Sequence, residues 1–186
     1  MTKERVILGI DPGTNLLGFG VIRIGTDKKA SFVDMGILDL RKEDDAYEKL
    51  RIINEYVGAL CDTYTPDDLA IESPFYGKNA QVIFKLGRAQ GSAIVAAKNH
   101  GLSVYEYAPR KAKVAICGNG SASKEQVALI VEKTLGISVE AKYLDATDAL
   151  AIAMCHYYQL TNPLVSTQAS TSWEKFLAAN PNRIKL

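Results

Sequence analysis

The sequence predicts an α/β fold, a mixed five-stranded sheet covered by helices on both faces, and three observations predict it. Short apolar runs bounded by turn residues crowd the N-terminal part of the chain, as antiparallel strands require. From Ala46 onward the apolar period becomes helical. After that helix, strand-like and helix-like segments alternate, the pattern of parallel strands joined by crossover helices.

Residues 5–11 contain the continuous run Val6-Ile7-Leu8-Gly9-Ile10 and end at Asp11 before Pro12-Gly13, which reads as a buried strand. Leu16 to Ile24, with Gly18 and Gly20 inside it, reads as a second strand. The tight turn Pro12-Gly13-Thr14-Asn15 joins the two as a hairpin. Ser31 to Leu38 gives a third strand after a polar turn. Tyr47, Leu50, Ile53, Val57 and Leu60 fall at helical spacing, so residues 43–63 form an amphipathic helix that Pro66 stops. A strand at 68–72, a helix at 79–99 closed by His100-Gly101, and a strand from Leu102 to Tyr107 follow. Pro109 starts a short basic helix. Ser121-Ala122-Ser123-Lys124 introduces another helix through Leu135, closed by Gly136, and the last helix, 145–160, is rich in alanine and leucine. Residues 161–186 are polar, contain Pro163 and Pro181 and lack a sustained period. The expectation is one domain over 1–160 and a mobile tail over 161–186, with room for a short helix around Trp173, Phe176 and Leu177.

Composition narrows the class of protein. A chain of 186 residues with 47% hydrophobic residues forms a packed core, burying about two-thirds of its unfolded surface. The first apolar run is too short for a signal peptide, and no stretch approaches the roughly 20 apolar residues of a membrane span. Cys61, Cys117 and Cys155 are odd in number and lack C-x-x-C spacing, so they read as reduced, buried cysteines of a cytosolic protein. The net charge is only +1, but residues 25–72 carry six Lys/Arg against twelve Asp/Glu, whereas residues 78–124 carry eight against Glu106 alone. That asymmetry suggests one face made for an anionic partner, although any single lysine also suits a solvated surface.

Four carboxylates carry the strongest functional signal. Asp11 and Glu72 each end an apolar run, and Asp145 and Asp148 open the last helix. Each has an ordinary explanation as well: Asp-Pro-Gly suits a turn, Glu72-Ser73-Pro74 a solvated strand end, and Asp145 a helix cap with Asp148 in the first turn. Residues three apart share a helix face, however, and the stripe through Asp145 and Asp148 continues through Ala149 and Ile152 to Cys155 or His156. A cap needs no second acid on the sheet-facing side. Strand ends and a helix start can converge, which suits oxygen ligation of a divalent metal such as Mg²⁺ or Mn²⁺. Zinc is disfavoured, because the chain has two histidines out of ligand spacing and no cysteine pair. His100 reads as part of a helix terminus and His156 as part of a helix face. The loop Ser73-Pro74-Phe75-Tyr76-Gly77-Lys78-Asn79 presents aromatics that suit either the core or stacking on an unpaired base. On the helix that follows, Gly87 and Gly91 lie four apart, with Ala93 and Ala97 beyond. Such small residues allow close approach to the sheet or to another subunit.

These segments together resemble one family. Ile7-Leu-Gly-Ile-Asp-Pro-Gly-Thr14 with Gly18-Phe-Gly-Val21 resembles the opening of the RuvC family of bacterial Holliday-junction resolvases. Ala70-Ile-Glu-Ser-Pro-Phe75 with Lys78-Asn79, Leu86 to Ala97, Gly118 to Lys124, and Asp145 to Ala153 are similar to its later motifs, in order. The resemblance covers residues 5 to about 158. It implies an RNase H-like fold and a homodimer with the long central helix at its interface. It further implies an Mg²⁺-dependent endodeoxyribonuclease, with two ions per site and Mn²⁺ as a substitute, that nicks paired strands of four-way junction DNA in recombination and repair. The implied partners are the branch-migration proteins RuvA and RuvB. By motif position, Asp11, Glu72, Asp145 and Asp148 match the catalytic, metal-holding acids. Phe75, Lys78, Asn79, Lys113 and Lys124 match residues on the DNA, with Phe75 acting on bases near the crossover and Lys113 and Lys124 near the scissile phosphate. An ATP-binding phosphotransferase shares a similar strand–Asp–Gly–Thr hairpin but needs two such domains and a second adenosine-binding motif. A junction-binding module without activity is disfavoured by the intact acids.

Overall fold

The computed structural model describes residues 3–74, 79–139 and 144–161. Its strands are β1 (Arg5–Asp11), β2 (Leu16–Ile24), β3 (Ala30–Asp39), β4 (Asp68–Glu72) and β5 (Ser103–Tyr107). They form one five-stranded sheet in the order β3-β2-β1-β4-β5. The hairpin partners β1–β2 and β2–β3 are antiparallel, and β1–β4 and β4–β5 are parallel. The mixed sheet expected from the pattern is therefore present.

Five helices complete the described fold: α1 (Ala46–Tyr64), α2 (Ala80–Asn99), α3 (Pro109–Cys117), α4 (Lys124–Leu135) and α5 (Leu144–Thr161). Alternation along the strands divides the core between two faces. Leu8, Ile10, Leu69 and Ile71 pack with Ile53 and Val57 of α1 and Ala93 and Ala97 of α2. Ile7, Ile22 and Ala70 point the other way, onto Leu150, Ile152 and Cys155 of α5, with Ala112 of α3 and Val127 of α4.

Caps account for where the helices start. α1 begins at Ala46, three residues later than its apolar period suggests, because the Asp45 side chain accepts hydrogen bonds from the Tyr47 and Glu48 amides. Ser123 and Gln126 form a reciprocal capping box at the start of α4, and Gly136 closes it in the left-handed region at φ 67°. α5 begins at Leu144, so Asp145 lies inside its first turn and is not its cap. Cys61 and Cys155 are buried as expected, but Cys117, at the end of α3, is only partly buried; all three are free thiols. No described helix is long and apolar enough to cross a membrane. Phe75, Tyr76, Lys78 and the expected tail after Thr161 lie outside the described residues.

Candidate active site

Strand register brings the first two acids together. Ile10 pairs with Ile71 in the parallel β1–β4 ladder, so Asp11 and Glu72, one residue further on, end adjacent strands. Ile7 and Ala70 face α5, and the period of two along a strand puts Asp11 and Glu72 on that same face.

The other two acids arrive because α5 lies almost directly on the backbone of β1 and β2. A Cβ on Gly18, the hairpin partner of Asp11, would stand 2.3 Å from the Asp145 carbonyl oxygen. A Cβ on Gly9 would stand 2.2 Å from the Ala149 carbonyl oxygen, and one on Gly20 would meet the Leu150 amide nitrogen at 2.8 Å. Glycine is required at these positions because a backbone passes where a side chain would be. The first turn of α5, with Asp145 and Asp148, is thereby seated beside the end of β1.

The electrostatics show how closely the four acids share one field. Burial pushes the Asp11 carboxyl up to about 6, with Asp148 and Asp145 adding to the rise and Lys124 opposing it. Burial likewise pushes Glu72 up to about 8, with Asp11 and Asp148 adding and Lys124 and Lys113 opposing. The ammonium of Lys124 stands 2.5 Å from Asp148 Oδ2 and 3.5 Å from Asp145 Oδ1. Burial works against its charge, but the hydrogen bond to Asp148 and the surrounding acids outweigh that and raise its pKa. One ammonium does not neutralise four carboxylates, and burial first and the remaining repulsion second raise the proton affinity of Asp11 and Glu72.

This donor set fits a hard divalent cation: every candidate ligand is a carboxylate oxygen, and the site is short of positive charge. Among the described residues no three His, Cys, Asp or Glu side chains stand at metal-ligand spacing, so side chains would have to adjust to hold an ion. Asp11 and Glu72 line a cleft of about 340 Å³ with Pro12, Gly13, Ser73 and Leu86.

The remaining predicted residues divide into three cases. Lys113 acts on Glu72 through its charge while its Nζ donates to the Ala122 carbonyl at 2.7 Å. Asn79 caps α2, its side-chain oxygen accepting from the Gln81 amide at 3.0 Å and the Val82 amide at 3.4 Å. Phe75 and Lys78 lie outside the described residues. His100 caps α2, at a helix terminus as expected, and His156 is buried on the inner face of α5.

Two residues near the cleft, Gln90 and Lys49, escaped the sequence reading. Gln90 on α2 donates to the Glu72 carbonyl at 3.4 Å and to Glu106 at 2.9 Å, steadying the strand end that carries the acid. Lys49 and Arg88 join Lys85 around a cavity of about 190 Å³ on the other side of the β1–β2 turn. Lys85 and Arg88 belong to the basic segment, whereas Lys49 sits within the acidic one and gave no signal.

The family model described as crossover junction endodeoxyribonuclease RuvC matches residues 7–156. A crossover junction endodeoxyribonuclease RuvC from Bacteroides fragilis is 49% identical over 98% of this chain and 97% of its own length. One from Christiangramia forsetii is 48% identical over 100% of this chain and 95% of its own. The structure of Thermus thermophilus RuvC in complex with a Holliday junction substrate superposes with a TM-score of 0.76 at 33% identity, over 84% of this chain and 94% of that one. All four acids fall within the matched span, on an RNase H-like scaffold common to these proteins, and the chain belongs to the RuvC family of crossover junction endodeoxyribonucleases.

Proposed function

We propose that this chain resolves Holliday junctions as a structure-selective endodeoxyribonuclease whose Asp11, Glu72, Asp145 and Asp148 hold two Mg²⁺ ions, with Mn²⁺ as a substitute. The observation that carries the reading is the convergence of two strand ends and one helix start on a shared negative field. When bound, such ions supply an activated water and stabilise charge on the attacking and leaving oxygens of a phosphodiester. The chain's own residues do the rest. The four carboxylates set the position of the charge, and Gln90 holds the backbone of Glu72. Lys113 and Lys124 stand close enough to the acids to meet a phosphate brought to them.

The same reading gives Phe75 a base at the crossover to stack on, with Lys78 and Asn79 flanking the strand. It makes residues 1–160 the nuclease domain and 161–186 a tail, acting in the cytoplasm with RuvA and RuvB on the same junction. It also makes the protein a homodimer through α2. Gly87 and Gly91 have open space where a Cβ would be, so their small size serves no contact with the described residues of the sheet.

A synthetic mobile junction incubated with the protein and Mg²⁺, with the nicks mapped, tests the reading. Symmetric paired nicks are expected. Asp11→Asn should bind the junction yet lose at least ~10³ in cleavage rate, because metal-held transition-state stabilisation contributes several kcal/mol. Near wild-type cleavage by that variant at saturating Mg²⁺ removes Asp11 from the site. Nucleotide hydrolysis without DNA would instead point to a phosphotransferase.

A further inference from the structure

A second charged cluster lies at the end of the sheet away from the acids, and the chemistry of the cleft does not use it. Asp68, the first residue of β4, is fully buried. Arg5, the first residue of β1, places Nη2 2.8 Å from Asp68 Oδ1 and Nε 2.5 Å from Oδ2. His156, near the end of α5, is 1% exposed and brings Nε2 to 3.2 Å from the same Oδ2. Neither Nε of Arg5 nor Nε2 of His156 lies along a good hydrogen-bond line, so Oδ2 is held by the charge of Arg5 and the close approach of the ring and not by an aligned bond. The other ring nitrogen of His156, Nδ1, is 2.7 Å from the Tyr107 hydroxyl, and the Tyr105 ring packs on the imidazole at 4.2 Å between centroids. The Tyr107 hydroxyl and Nδ1 share one hydrogen bond in either tautomer, and Nε2 is the ring atom turned to the carboxylate.

Distance excludes contact with the reacting groups. Arg5 to Asp11 spans about 20 Å of strand, and Asp68 to Glu72 about 13 Å. His156 to Asp145 spans about 16 Å of helix. The cluster nevertheless draws one member from each element that carries an acid: β1 holds Arg5 and Asp11, β4 holds Asp68 and Glu72, and α5 holds His156 with Asp145 and Asp148. Between those ends the inner face of α5 is largely small and apolar, with Ala146, Ala149 and Ala153 fully buried against glycine-bearing strands. That packing seats the helix closely on the glycines, but it carries no directional bond. A buried carboxylate differs, because losing its partners leaves a charge without compensation. Any sliding of α5 along the sheet carries His156 off Asp68. Helix and strands are stiff, so fixing one end fixes the other.

We propose that Arg5, Asp68 and His156 form a positioning clamp that sets the register of α5 on β1 and β4 and so the spacing of the four acids. Asp68 and His156 are positioning residues and touch no substrate. The proposal rests on the reading of those acids as the metal-holding set.

The test uses the full chain and compares His156→Leu, His156→Gln, Asp68→Asn, the core control Met154→Ala and Asp11→Asn. Four quantities are measured well below the lowest melting temperature: Mn²⁺ affinity by calorimetry, junction affinity without divalent metal, cleavage rate at saturating junction, and the melt itself. His156→Leu and Asp68→Asn should lower the cleavage rate about tenfold or more and weaken Mn²⁺ binding about fivefold, with junction affinity changed less than about twofold. His156→Gln keeps a donor near the Nε2 position and should recover most of the rate. Met154, buried on the same helix, lies outside the clamp, so Met154→Ala should lower the melting temperature while keeping the rate within about twofold. Two results overturn the clamp: His156→Leu and Asp68→Asn cutting at the wild-type rate, or Met154→Ala losing as much rate for the same loss of melting temperature. Should His156→Leu not fold, Asp68→Asn decides alone, since it keeps the shape of the side chain while replacing a charged oxygen with an amide. If Asp11→Asn cuts normally, the underlying reading of the acids has failed, whatever His156→Leu does.

Discussion

Glu72 is placed where its charge is least welcome, and this has a measurable sign. Its pKa is pushed up to about 8 and that of Asp11 to about 6, by burial first and neighbouring acids second. Both exceed ordinary unfolded values near 4, so the folded protein binds protons more tightly than the unfolded chain. Without divalent metal, the stability these groups contribute is fully present below about pH 4 and lost as the pH rises through about 8. Glu72→Gln removes the penalty. The variant should be more stable than wild type at pH 8.5 without metal, by on the order of 1–3 kcal/mol after allowance for solvent screening, and equal to it at pH 4. Melts across that range with chelator decide it; a gain that does not grow with pH would reject the electrostatic cause. Cleavage at limiting Mg²⁺ should rise over the same window, because ligation needs both carboxylates ionised. The acids themselves were legible, since an apolar run ending in Asp or Glu marks a strand end whatever the fold. Lys124 was legible as one cation of the basic segment and, through family resemblance, as a residue on the DNA, but its contact with Asp148 spans 24 residues without any local pattern.

At the scale of elements, the strands and helices followed from period and punctuation, and the starts were misjudged where a cap decided them. The 43–63 helix begins at Ala46 because Asp45 satisfies two amides. What the pattern could not supply was the reason for Gly9, Gly18 and Gly20, which lies in a helix more than 120 residues further along the chain. The same holds for Arg5, Asp68, Tyr107 and His156: as single residues in four separate elements they look like ordinary strand and helix residues, and only tertiary assembly makes them a cluster. The glycine packing predicts a sharp outcome. In Gly18→Ala the new Cβ would meet the Asp145 carbonyl oxygen at 2.3 Å, a backbone atom that cannot rotate aside. The first turn of α5 must lift, costing about 1–3 kcal/mol and displacing Asp145 from Asp11. Cleavage should fall far more than the loss of stability explains, about a hundredfold, because misplacing catalytic groups by an ångström is that costly. Wild-type rates from a stable Gly18→Ala protein would show that α5 is not held by this contact.

For the whole molecule, charge and symmetry set the remaining expectations. The excess of lysine and arginine in residues 78–124 predicts junction affinity that falls steeply with salt, as phosphate contacts release counterions. Lys113→Ala and Lys124→Ala should each flatten that dependence by roughly one unit, and unchanged slopes in both would leave the segment a solvated surface. Symmetry concerns α2. Phe84 is 70% exposed and Val95 54%, and together with Gly87 and Gly91 they fall at helical spacing on one face, where glycine has nothing within 4 Å. An exposed apolar stripe without a partner among the described residues suits a second copy, which the proposed resolution of a two-fold junction also needs: one site per protomer, one nick per strand. Val95→Glu puts a charge into that stripe without touching the acids, so single-site chemistry should survive while pairing fails. If wild type pairs through α2 as proposed, the variant is expected to sediment as a monomer at concentrations where wild type sediments as a dimer. On a supercoiled plasmid with an extruded cruciform, wild type should cut both strands of the same junction and leave linear DNA, whereas Val95→Glu should leave nicked circles, its second nick no faster than an independent encounter. Linear product from a monomeric Val95→Glu protein would mean that one chain can cut twice before the cruciform collapses. Linear product from a variant that stays dimeric would place the interface on a face other than α2.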